Sequence, residues 1–217
     1  KRKMAAPMRS RTDSDSSVLL KFDECIYTKC YCEENVWKLC EKILHKAPAK
    51  IASCFATFIS NESKSVPIWQ QKSSSSVSAP VVWDYHVILL QETGNGVYVY
   101  DQDSRLSFPC AFTEYAQKAL GSEADILHRF HRMFRVIPAA VFLEKFASDR
   151  THMLNEEGWL SPPPSYPCIQ TNENSNNLED FIGMRPDVGY GQVMNLEQLM
   201  VAFAGRCLPL QSLINPS

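Results

Sequence analysis

Two apolar runs around a glycine-rich punctuation constrain this chain more than any other feature. PVVWDYHVILLQ (80–91) is followed by ETGNG (92–96) and then by VYVYDQD (97–103). β-Branched and aromatic residues on both sides of Gly-Asn-Gly predict an antiparallel hairpin. Its register is open. A two-residue Asn95-Gly96 turn sets His86 opposite Arg105, whereas a four-residue loop from Glu92 to Asn95 sets His86 opposite Asp101. In both registers His86 and Asp101 share a face, because side chains alternate along a strand and the two registers differ by an even slip.

Ahead of the hairpin, CEENVWKLCEKIL (32–44) carries Val36, Leu39, Cys40, Ile43 and Leu44 at helical spacing. Glu33 and Glu34 fall in the first turn, where acids suit the helix dipole, so a helix is predicted to begin at or just after Cys32. IASCFATFIS (51–60) reads as a strand, and QQKSSSSVSAP (70–80) as an exposed loop. Further on, FTEYAQKAL (112–120), ADILHRFHRMF (124–134) and AAVFLEKFA (139–147) show helical spacing, with His128 and His131 facing solvent on a basic helix. SPPPSYP (161–167) is a stiff extended connection, and Asn195 with Gln198 forms a capping-box start to LEQLMVAFA (196–204). This order implies an α+β fold: a helix packed on an antiparallel sheet, with further helices in the C-terminal half.

Residues 1–22 are polar and charged and read as a mobile tail, 23–207 as a single catalytic domain, and 208–217 as a C-terminal tail. The 217 residues, 45% hydrophobic and 11% aromatic, suit one globular domain. A formal net charge of −2 gives no global attraction to nucleic acid or to an anionic membrane. The N-terminal segment lacks the apolar core of a secretory signal, and no run approaches the roughly 20 apolar residues of a membrane span. The expected location is therefore cytoplasmic, with the nucleus as a second site, and the eight cysteines are expected to stay reduced. Cys25, Cys30 and Cys32 lack the paired spacing of zinc sites, so no metal is expected; Cys40, Cys54 and Cys110 read as small buried apolar residues.

Three residues can form a reactive unit. A thiol at a helix start, Cys32, faces unsatisfied N–H groups and a dipole that favour thiolate, although Glu33 and Glu34 oppose it if they point at the sulfur. His86 sits in an apolar strand and Asp101 ends its partner strand, with Asp103 as the alternative orienter on the same face. Each alone has an ordinary structural use: helix packing, a core imidazole, a strand-end carboxylate. Together they have the nucleophile, base and orienter of a cysteine hydrolase, which needs neither metal nor cofactor.

The stretches CYCEENVWKLCE, FISNESKSVPIWQQ, VVWDYHVILL, YDQDSRLSFPC, FRVIPAAVFLEKFASDRTHM and PPPSYPCI closely resemble the protein N-terminal glutamine amidohydrolase family, from about Cys25 to about Ala204. The resemblance implies a monomeric α+β fold similar to the papain and transglutaminase cores. It implies conversion of an N-terminal Gln of a protein to Glu with release of ammonia, feeding an N-degron degradation pathway. It sets the family's Cys-His-Asp triad on the Cys of YCEEN, the His of WDYH and the first Asp of YDQD, which are Cys32, His86 and Asp101. The implied partners are proteins or peptides with N-terminal Gln. Their α-ammonium needs acceptors, for which backbone carbonyls near the mouth, Glu33 and Asp84 are the candidates. A transglutaminase-like or peptidase-type cysteine enzyme would use the same trio, and a non-catalytic module that reads N-termini would keep the fold without turnover.

Overall fold

The helical spacing of Val36, Leu39, Cys40 and Ile43 produces α1 (Cys32–Lys46) in the computed structural model, which describes residues 19–207. Those four side chains are buried, while Leu44 lies at the rim of the packed stripe. Acids in the first turn and His45 and Lys46 in the last complement the helix dipole. The elements that follow are β1 (Cys54–Ser60), β2 (Val66–Ile68), β3 (Val81–Trp83), β4 (His86–Thr93), β5 (Gly96–Tyr100) and β6 (Cys110–Ala111). After these come α2 (Phe112–Tyr115), β7 (Met133–Pro138), α3 (Ala139–Lys145), β8 (Leu154–Asn155), β9 (Gly158–Trp159), α4 (Leu178–Ile182), β10 (Gln192–Asn195) and α5 (Leu196–Phe203).

Six strands form one antiparallel sheet in the order β10-β7-β1-β4-β5-β6. Period-two alternation divides its side chains between two apolar clusters. Cys54, Ala56, Phe58, Val87, Leu89 and Ile137 pack with α1, α3 and α4. Ile59, Ile88, Leu90, Val97, Val99, Phe134 and Val136 pack on the other face with Phe112, Tyr115, Leu199 and Phe203 from α2 and α5. Both faces are therefore covered by helices, and α1 lies on β1 and β4 with its N-terminus near the start of β4.

The hairpin forms, but in neither register considered from the sequence. Thr93 pairs with Gly96 and Leu89 with Tyr100, so the tight loop is Gly94-Asn95. Thr93 selects it: its hydroxyl donates to the Gly96 carbonyl at 2.8 Å and accepts the Asn95 N–H at 3.1 Å. This register lies midway between the two considered, so the parity that sets His86 and Asp101 on one face is kept. The apolar run 80–91 is also broken: β3 pairs with β2 in a separate small sheet, and Asp84-Tyr85 carries the chain into β4.

The basic segment 124–134 is not a helix. It is a short 3-10 turn (His128–Phe130) leading into β7. Its charges are used elsewhere. Arg132 is fully buried and reaches the Pro67 carbonyl at 3.3 Å, and His131 Nε2 lies 2.9 Å from the Ile126 carbonyl. His128 is exposed and its ring packs against that of half-buried His131. Of the tail expected over 1–22, residues 1–18 lie outside the described residues, as does the tail over 208–217. Leu20, within that expected tail, is fully buried in the cluster under α1. No helix among the described residues is long and apolar enough to cross a membrane.

Candidate active site

Cys32 is the first residue of α1, and its sulfur lies against the beginning of β4, where the Val87 backbone N–H pulls the thiol pKa down. The loop before the helix is tied by Asn35, which accepts from the Thr28 N–H and donates to the Thr28 carbonyl, each at 2.8 Å. Helix-start N–H groups alone do not make this thiol acidic. Burial first, and then the charges of Glu33 and Asp103, hold its pKa well above the ordinary 9.0. Burial and the Glu33 carboxylate, which points at the sulfur, oppose the pull of the helix-start N–H groups.

His86 and Asp101 meet as the shared face requires. Nε2 of His86 lies 3.0 Å from Oδ1 of Asp101, and both residues are buried. The chain leaves the ladder after Tyr100, which lets Asp101, rather than the register-opposed Asp103, turn onto the ring. Asp101 Oδ1 also accepts the Asp103 N–H at 3.0 Å, and Oδ2 accepts Gln71 Nε2 at 2.9 Å and the Tyr115 hydroxyl at 2.7 Å. Burial works against charge on both partners. The Asp101 charge and hydrogen bond nevertheless raise the His86 pKa above 6.5, and His86, Gln71 and Tyr115 lower that of Asp101 below 3.8. Both shifts favour the imidazolium–carboxylate pair. Trp83 stacks on His86 with ring centres 5.1 Å apart and planes 19° from parallel, shielding the pair. The other ring nitrogen, Nδ1, is buried and has no hydrogen-bond partner among the described residues.

A cleft of about 410 Å³ opens over Cys32, lined also by Trp83, Asp84, Tyr85, Asp103 and His152. The two acids of the first helical turn part ways here. Glu34 turns inward to a bidentate pair with Arg150, at 2.7 Å and 2.8 Å. Glu33 turns to the sulfur: its Oε2 lies 3.6 Å from Cys32 Sγ and accepts the Tyr85 hydroxyl at 3.1 Å. Asp84 is exposed, and its carboxylate accepts its own neighbour's N–H, from Tyr85 at 2.9 Å. Asp103 is anchored by the Tyr27 hydroxyl at 2.5 Å.

His86, Asp101 and Asp103 bring ligand-type atoms within 4.8 Å of one another. The Asp101 oxygens are already engaged by protein donors, which fix the orientation of the imidazole. The cysteines Cys25, Cys30, Cys32, Cys40, Cys54, Cys110 and Cys168 are free thiols.

The sequence pointed to Cys32, His86 and Asp101, and the structure brings His86 onto Asp101 and Cys32 to the head of the same strand. Gln71, Tyr115, Tyr85 and His152 were missed. Gln71 fell inside a run read as exposed loop, yet it is fully buried. His152 is 119 residues from the carboxylate it approaches, and no local pattern marks such a partner.

A family model described as N-terminal glutamine amidase matches residues 27–203. The protein N-terminal glutamine amidohydrolase of Bos taurus is 48% identical over 186 residues, 85% of this chain and 89% of its own length. That of Danio rerio is 48% identical over 183 residues, 83% and 90% of the two chains. That of Homo sapiens is 47% identical over 186 residues, 85% and 90% of the two chains.

Proposed function

The chain belongs to the N-terminal glutamine amidase family, and from that premise we propose that Cys32, His86 and Asp101 deamidate the side chain of an N-terminal Gln of a protein. The observation that carries the assignment is the buried His86–Asp101 pair, 3.0 Å apart, with the helix-start Cys32 against the beginning of the same strand at Val87. We read the helix and sheet around it as the papain and transglutaminase type of core, acting as a monomer without metal or cofactor. The cytoplasm and nucleus are the proposed places of action, and the Glu produced enters an N-degron pathway.

The chemistry is acyl transfer in two halves. The Cys32 proton passes to the neutral form of His86, at Nδ1, as the sulfur attacks the carboxamide carbon. The carbonyl oxygen becomes an oxyanion, for which the Cys32 backbone N–H at the helix start is the candidate donor. Imidazolium His86, stabilised by Asp101, gives its proton to the departing nitrogen, and ammonia leaves a thioester. Water then surrenders a proton to the same imidazole and adds to the thioester carbon. Collapse of that adduct expels the sulfur, which recovers the proton, and releases Glu. Asp101 holds Nε2 as the protonated nitrogen, so Nδ1 is the one free to accept from Cys32.

The test is ammonia release from peptides differing only in their first residue. Gln is expected to react and Asn to fail, because an amine-anchored Asn holds its carboxamide carbon about one bond, ~1.5 Å, short. An internal Gln or an N-acetylated Gln is also expected to fail. Comparable turnover of the acetylated peptide would replace this assignment with a general protein glutaminase.

A further inference from the structure

Behind the lining of the cleft, under Tyr85 and His152, lies a carboxylate that the triad does not use. Glu33 is fully buried, and its Oε1 has no hydrogen-bond partner among the described residues. The His152 ring approaches it, with Nε2 at 3.5 Å, beyond good bonding distance. A buried, under-satisfied carboxylate is expensive, and it lies 3.6 Å from the reactive sulfur through its other oxygen. The two side chains that cover it, Tyr85 and His152, both line the cleft.

Resting on the deamidase reading, we propose that Glu33 is the acceptor of the substrate's α-ammonium, with the His152 ring displaced from Glu33 Oε1 when the substrate enters. The span of a Gln residue fits. Its amine and its carboxamide carbon are at most about 5 Å apart. Attack needs that carbon about 3–3.5 Å from the sulfur, and a charge-assisted bond brings the amine to within about 2.9 Å of an acceptor. An acceptor adjoining the sulfur meets both conditions with a folded-back side chain. The acids that line the cleft fit less well: Glu179 is exposed and already paired with Lys64 at 3.3 Å. Asp84 is exposed and caps its own turn. Asp103 lies within 4.8 Å of the His86–Asp101 pair, where an ammonium would face the imidazolium. The same arrangement makes the substrate its own activator. Glu33 opposes thiolate formation in the free site, and an ammonium on Glu33 neutralises that opposition at the moment the carboxamide arrives.

The experiment compares kcat/KM for a Gln-initiated peptide and its N-acetylated form in the wild type, Glu33→Gln and His152→Ala, with iodoacetamide alkylation of Cys32 at neutral pH alongside. Glu33→Gln is expected to lower kcat/KM for the free amine roughly 10- to 100-fold, mainly through KM, and to collapse the free-to-acetyl ratio. Alkylation of Cys32 in the same variant is expected to be faster, which a merely damaged site would not show. His152→Ala leaves the acceptor in place and is expected to keep the ratio. An unchanged ratio in Glu33→Gln overturns the inference while leaving the deamidase reading intact. If Glu33→Gln does not fold, a collapsed ratio in His152→Ala overturns it instead. A wild type that fails to discriminate against the acetylated peptide removes the N-terminal specificity on which the deamidase reading rests, and this inference with it.

Discussion

Replacing Asp101 by Asn should cost between about 10- and 10,000-fold in kcat while leaving the protein folded. Asp101 accepts four donors: the His86 ring at 3.0 Å, Gln71 at 2.9 Å, Tyr115 at 2.7 Å and the Asp103 N–H at 3.0 Å. An Asn offers one oxygen, and its NH2 must face a place where a donor already stands. If the NH2 turns to Gln71, that side chain can flip and offer its own unpaired Oε1. His86 then keeps a neutral acceptor but loses the charge that stabilises its imidazolium. A charge-assisted bond is worth about 1.5–3 kcal/mol, which sets the lower bound near 10- to 100-fold. If the NH2 turns to His86, Nε2 must accept, the ring proton moves to Nδ1, and no base faces Cys32. That tautomer carries the loss toward the upper bound. The price in stability should be about 1–3 kcal/mol, a fall in Tm of about 2–4 °C per kcal/mol for a domain of this size. Ammonia release and a thermal melt on the same preparation read both. A folded Asp101→Asn variant within about threefold of wild-type kcat would refute the role given to Asp101.

Arg150→Met should strand Glu34 as a buried, unpaired charge at the base of α1 and destabilise by about 3–5 kcal/mol, read as a lower urea midpoint. The His86–Asp101 pair should make stability depend on pH in a stated window. Asp101 has a depressed pKa, so its contribution is present above 3.8 and is lost as pH falls through its lower folded value. His86 has a raised pKa, so its contribution is fully present below 6.5 and is lost as pH rises through its higher folded value. The difference in urea midpoint between wild type and His86→Gln should therefore be larger at about pH 5.5 than at about pH 9, and equal differences would contradict the charged pair.

What could be read from the chain follows physical locality. The spacing of Val36, Leu39, Cys40 and Ile43 is a property of consecutive residues, so α1 and its start at Cys32 were legible. So was the shared face of His86 and Asp101, which any even slip preserves, and the Asn195–Gln198 capping box, which forms as expected. The register was not legible, because one hydroxyl, that of Thr93, chooses the loop. The segment 124–134 has helical spacing, but Arg132 within it and Arg135 just after it are worth more as buried donors to distant carbonyls. Arg135 alone bonds the carbonyls of Gly183, Arg185 and Tyr190 at 2.7–2.9 Å. The same non-locality hid Gln71, Tyr115 and His152, whose roles exist only once the sheet has brought remote residues to Asp101 and Glu33.

The account stands most directly on which thiol carries the reaction. Cys30 and Cys32 are two residues apart, and both line the cleft, but Cys30 is exposed while Cys32 begins α1 at the head of β4. Single-turnover assays with a Gln-initiated peptide, read by ammonia release and by intact mass of acid-quenched protein, separate them. Cys32→Ala should release no ammonia and form no thioester. Cys30→Ala should retain most of the activity and show the acyl adduct on Cys32. Turnover by Cys32→Ala, or its loss in a folded Cys30→Ala, would contradict the account.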